Sequence, residues 1–104
     1  MIKQIFLIKR KSGLNFDEFK KHYLEVHAPL VKKSLPDIQK YVVSLVIQRG
    51  KESLYDAVTE IYWNDFETIV KIAKSDIYKN VIRADEEKFI GTAEVILTEE
   101  YPQK

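Results

Sequence analysis

The 104 residues are 45% apolar and 32% charged, the balance of one globular domain spanning 1–104, with no biased segment to serve as a linker or disordered tail. The absence of cysteine excludes disulfide frameworks, thiolate metal sites and cysteine nucleophiles, and together with an apolar start, "MIKQIFLIKR", too short for a membrane span or signal peptide, it points to a cytoplasmic protein with no membrane partner. Net charge is +1, but residues 1–51 carry 11 Lys+Arg against 4 Asp+Glu, and residues 52–104 carry 6 against 12; with no basic run interleaved by aromatics, this reads as a solvated surface whose halves attract each other or a second subunit, and no nucleic-acid partner is expected.

In chain order, Ile2 to Lys9 sets Ile5 and Leu7 against Ile2, Phe6 and Ile8, a strand with both faces partly buried. Asn15 followed by Glu18 has the side chains of a capping box, and a helical period runs from Phe16 to His27. On that period Phe19, Tyr23, Val26 and Leu30 form one apolar stripe, into which His27 falls. Ala28-Pro29 is expected to end or kink the helix. "IQKYVVSLVIQRG" reads as a second strand and "AVTEIYW" as a third, paired as a hairpin. Asn64 and Asp65 can cap a helix with the stripe Phe66, Ile69, Val70 and Ala73, restarted at Ser75-Asp76 and continued by Ile77, Val81 and Phe89. Gly91 closes it, and "TAEVILTEEY" is a fourth strand.

This order predicts an α+β domain of ferredoxin-like βαββαβ type, a four-stranded antiparallel sheet with the helices on one face. The other face is then bare. Because the second strand is apolar on both sides, with Tyr41, Val43, Leu45 and Ile47 opposing Val42 and Val46, a broad apolar patch is expected there. A second copy packed face to face would cover it, giving a homodimer through the open sheet face.

"FDEFKKHYLEVHAPLV" resembles the amino-terminal signature of the EthD family, and "SDIYKNVIRADEEKFIG" resembles its second signature. His27, Pro29, Leu30, Asp85 and Phe89 match the pattern; His22-Tyr23 stand where the family often has Tyr-Trp. The resemblance implies a dimeric α/β barrel. It also implies kinship with a component of bacterial ether degradation and with fungal enzymes that act as cofactor-free dehydratases or decarboxylases on aromatic polyketides.

Three residues are the candidates for chemistry. His27 lies about 40° from Tyr23 on the helix and points at the sheet, where an imidazole serves either as a satisfied core residue or as a general acid–base group. Asp85, four residues after Val81 and four before Phe89, puts a carboxylate on an apolar side; it either caps a fresh turn beginning "EEKF" or orients His27. Tyr23 is either core, with its hydroxyl bonded to backbone, or a donor to a developing enolate. Phe19, Leu30, Trp63 and Phe89 are the expected ligand-binding walls, with Trp63 and Tyr62 on opposite faces of their strand. His22 falls a quarter turn off the stripe, at the helix edge. Two histidines five apart are too few for a zinc site, so no metal is expected. No phosphate loop or dinucleotide fingerprint is present and no cofactor is implied, although one imidazole would suffice as an axial haem ligand. Two functions fit these residues: a cofactor-independent proton-transfer enzyme (cyclase, dehydratase, isomerase or decarboxylase) for a small aromatic or carbonyl compound, and a non-catalytic carrier or accessory of an oxidative degradation system using the same pocket for a small hydrophobic ligand.

Overall fold

Strand β1 (Ile2–Arg10) lies at the centre of the sheet in the computed structural model, which describes residues 1–104. It pairs antiparallel with β3 (Ala57–Trp63) on one side and β4 (Ile90–Glu99) on the other, while β2 (Lys40–Leu45) pairs antiparallel with β3 at the edge. The order β2-β3-β1-β4 is that of a ferredoxin-like sheet. In register, Phe6 faces Thr59 and Val95, and Ile61 faces Gln4 and Tyr41. The alternation of strand side chains therefore puts Gln4, Phe6 and Ile8 on the helix side with Ala57, Thr59, Ile61 and Trp63.

Each crossover contains a helix interrupted by one wide turn, and the second is broken once more at Lys74 and Ser75 before helix resumes at Asp76. The first comprises α1 (Phe16–His22), a π turn (Tyr23–His27) and α2 (Ala28–Ser34). The capping box forms as the sequence predicts: Asn15 Oδ1 accepts from the Glu18 N–H at 2.8 Å, and Glu18 Oε1 accepts from the Asn15 N–H at 3.0 Å. Pro29 does not end the helix. Ala28 donates to the Tyr23 carbonyl five residues back, so the proline enters the first turn of a new α segment, where its missing N–H is not required.

That π turn also corrects the stripe. On a regular helix each step of four residues drifts by about 40°; the wider turn takes up part of the drift, and Phe19, Tyr23, His27, Val31 and Leu35 become the buried row. Val26 falls outside it and is 47% exposed. The second crossover repeats the device, with α3 (Phe66–Ala73), a π turn (Tyr78–Ile82) in which Arg83 donates to the Tyr78 carbonyl, and α4 (Arg83–Phe89). Asp65 caps α3 through the Thr68 N–H and hydroxyl. Here Ile82 replaces Val81 as the buried position, and Ile77 is exposed.

One further expectation changes. The second strand stops at Leu45 rather than reaching Gly50: the Val46 N–H still donates in register to the carbonyl of Asp56, but the Asp56 N–H donates to Ile8 of β1 instead of returning the bond. Asp56 is fully buried and binds Arg10 through both the guanidinium, at 2.7 Å, and the backbone N–H, at 2.9 Å. Ile47 is thereby carried off the sheet. Tyr41, Val43 and Leu45 belong to the helix side, and the open face carries the apolar residues Ile5, Leu7, Val42, Val58 and Ile96, bordered by ion pairs from Lys3 to Glu60 and Glu100. No helix is long and apolar enough to cross a membrane.

Candidate functional site

Between helices and sheet lies a cavity of about 260 Å³ whose wall draws on both apolar clusters of the core. Aromatic rings of Tyr23, Tyr41, Trp63 and Tyr78 line it, with His27, Thr59, Gln4 and Glu86 as its other polar residues. On the β4 side the wall consists of Ile90, Ala93 and Val95, the last two exposed, so the cavity meets solvent there.

His27 stands in this wall because the π turn brings it onto the buried row below Tyr23. Its Nδ1 lies 2.8 Å from Asp85 Oδ2. Asp85 sits on α4 behind the imidazole, is 4% exposed, and does not line the cavity. Burial works to raise its carboxyl, but hydrogen bonds from His27 and His22 outweigh that and hold it below the usual carboxylate range. An ionised carboxylate only accepts hydrogen bonds, so the proton of neutral His27 resides on Nδ1. Nε2 then carries a lone pair and has no protein partner; since no buried side-chain nitrogen or oxygen is left unbonded, this atom meets open space. Burial dominates the imidazole as well and lowers its proton affinity, against the opposite pull of Asp85.

His22, placed by its sequence position at the helix edge, turns inward. Its Nε2 is 3.1 Å from each oxygen of Asp85, so one carboxylate accepts from two imidazoles; exposed Lys88 completes the surroundings at 3.9 Å. Asp85 is not a helix cap: the residue at that position is Ile82, with no side-chain bond. No group of three or more His, Cys, Asp or Glu side chains is arranged to hold a metal ion.

The expected ligand walls divide. Trp63 lines the cavity, and its Nε1–H donates to Gln4 Oε1 at 3.0 Å, whereas Tyr62 lies on the open face and bonds Glu100. Phe19, Leu30 and Phe89 do not line it. Phe19 and Phe89 are fully buried behind the cavity, and the Phe89 ring packs on both imidazoles, with centroids 4.7 Å from His22 and 4.8 Å from His27. The phenyl ring therefore fixes the pair that holds the carboxylate. Leu30 is half-buried and packs on the second core cluster.

Tyr23 bonds not to backbone but to the hydroxyl of Thr59, a buried residue of β3. Burial pushes the Tyr23 hydroxyl up to about 12 despite its bonds to Thr59 and Tyr41, and burial raises Tyr41 further still. Both phenols stay neutral donors at physiological pH. Glu86 was missed altogether. It belongs to the row Tyr78, Ile82, Glu86, Ile90 that the second π turn rotates toward the cavity, and burial raises its carboxyl above the usual range. Its signal in the sequence, four residues after Ile82, is readable only once the extra residue in that turn is known.

The EthD domain profile matches residues 11–93. No curated protein sequence matches the chain. Among solved structures, it is similar to an ethyl tert-butyl ether degradation (EthD) family protein from Bacillus halodurans, at 27% identity and a TM-score of 0.77, over 97% of this chain and 99% of that one. An EthD-like protein from Ralstonia eutropha shares 16% identity at a TM-score of 0.71, over 99% and 95% of the two chains. A dimeric protein of ferredoxin-like fold and unknown function from Bacteroides fragilis shares 14% at 0.69, over 95% of each. The last two likenesses bear on the fold alone; the profile match, which spans most of the sequence including Tyr23, His27 and Asp85, places this chain in the EthD family.

Proposed function

We propose that the cavity binds a small, largely apolar aromatic or carbonyl compound and that His27 moves a proton on it without a cofactor, as in a cyclase, dehydratase, isomerase or decarboxylase. The observation that carries this reading is the orientation of His27, with Nδ1 committed to Asp85 and the Nε2 lone pair left at the cavity wall. Nε2 takes a proton from the carbon next to a carbonyl; Asp85 stabilises the imidazolium that results and keeps the ring from turning. Tyr23 and Thr59 share one hydrogen bond between two hydroxyls, so one hydroxyl proton of the pair stays free to reach the developing enolate oxygen.

The test is His27→Gln, assayed on a small molecule that co-purifies with the protein and is identified by mass spectrometry. Loss of turnover with binding and folding retained supports the enzyme. Undiminished conversion contradicts it, and binding with no conversion by the wild type supports a carrier.

The same reading includes a homodimer through the open sheet face. Only 14 of the 104 residues are buried, and on the open face Ile96 of β4 is 47% exposed beside Ile5, Leu7, Val42 and Val58, none of them buried. A single copy thus leaves much apolar surface for a partner. Sedimentation equilibrium giving a monomer at micromolar concentration would contradict this part.

A further inference from the structure

The charge inside the cavity is unbalanced. Glu86 is half-buried in its wall, and its one hydrogen bond to protein comes from the Tyr78 hydroxyl at 3.4 Å, long for such a bond. No lysine or arginine lines the cavity, and His27 is held in its neutral form by burial. Arg83, one turn earlier on α4, is exposed and acts on Glu86 from outside, while Asp85 and Glu87 add negative charge. Of the remaining polar atoms of the wall, Gln4 Oε1 is taken by Trp63, and the Tyr23 and Thr59 hydroxyls bond each other with one proton of the pair left free.

We propose that Glu86 sets the charge of what the cavity takes: a small apolar molecule presenting a hydrogen-bond donor to this carboxylate, with anions rejected. A carboxylate in an apolar wall with one weak partner is short of the donors it would have in water. A ligand hydroxyl or N–H supplies one and regains that loss. A ligand carboxylate would instead bring a second negative charge beside the first, with no cation to offset either. The aromatic walls accept a flat ring without further polar demands. This inference rests on the cavity being the binding site, as proposed above.

Three naphthalene derivatives of matched shape test it by calorimetry at about pH 7.5, where exposed carboxylates are ionised: 1-naphthol (donor), 1-methoxynaphthalene (acceptor only) and 1-naphthoate (anion). The expected order of affinity for the wild type is naphthol, then the methyl ether, then naphthoate, with about ten- to hundredfold between the first two. In Glu86→Gln the first gap narrows, the methyl ether is unchanged, and naphthoate gains about tenfold or more. Equal binding of naphthol and naphthoate to the wild type, or the same ranking in the variant, overturns the proposal. If naphthol is lost in Ala93→Trp, which fills the solvent side of the cavity, but untouched in Glu86→Gln, the cavity remains the binding site and only the role of Glu86 fails. If none of the three binds the wild type, both readings fail.

Discussion

The imidazole of His27 and the carboxylate of Asp85, 58 residues apart in the chain, meet at 2.8 Å between the two crossover helices. The pair joins the two βαβ halves at the back of the cavity, so it bears on stability as well as on the proposed chemistry. Replacing Asp85 by Asn leaves a neutral amide with one acceptor oxygen to face two imidazole N–H groups. Loss of a hydrogen-bonded buried charge of this kind costs about 2–4 kcal/mol. Urea unfolding of Asp85→Asn should show that loss, and a stability within error of wild type would mean the carboxylate holds neither ring.

Acid should destabilise the protein from near neutrality downward. The folded state holds His27 below its ordinary value of 6.5, so the unfolded chain binds that proton first. The His27 contribution is present above pH 6.5 and is lost as pH falls through the lower folded value. Asp85, also lowered, has the same sign further down, below its ordinary 3.8. His27→Gln should therefore flatten the fall in melting temperature between about pH 6.5 and 5; an unchanged slope would remove His27 as its source.

Glu86 has the opposite sign. Its carboxyl is raised, so its favourable contribution is complete below its ordinary 4.5 and is lost as pH rises through the folded value. Glu86→Gln should melt higher than wild type at neutral pH, with the advantage vanishing at about pH 4. A variant less stable than wild type at neutral pH would show the charge to be better compensated than its single partner indicates.

Tyr23→Phe removes the partner of a hydroxyl on Thr59 that is 2% exposed. The expected cost is about 1–2 kcal/mol, and Tyr23→Phe with Thr59→Val should recover part of it, since the Thr59 position then carries no hydroxyl to leave unpaired. Additive losses in the two single variants would argue against a shared bond.

Gly91 is required by the sheet rather than by a turn. The register of β1 with β4 slips between Lys9 and Arg10, and a Cβ on Gly91 would lie 2.7 Å from the Arg10 carbonyl oxygen and 3.3 Å from Lys11 Cα. Both are backbone atoms, which cannot swing aside. Gly91→Ala should cost about 1–3 kcal/mol in denaturant unfolding; Gly13→Asn, at an open loop position with positive φ, should cost far less.

The sheet, its order and the caps at Asn15 and Asp65 were legible because alternation, helical period and capping spacing act locally. The meeting of His27 with Asp85 was legible because each residue interrupts an apolar stripe. The π turns were not, since each inserts a fraction of a turn that no residue type announces, yet they decide which neighbour faces inward. That one-residue shift explains why Val26 is outside, why Val31 replaces Leu30, and why Glu86 rather than Asp85 reaches the cavity. His22 was legible as an edge residue but not as a second donor to Asp85, because its partner lies on the other crossover.

The central claim is that His27 presents a lone pair to the cavity while Asp85 holds its proton on the far side. A long-range proton–nitrogen correlation spectrum of the two imidazoles at about pH 7.5 tests it directly. His27 should appear as the neutral Nδ1–H tautomer, reverting to a mixture in Asp85→Asn. An Nε2–H tautomer or a doubly protonated ring for His27 would contradict the account.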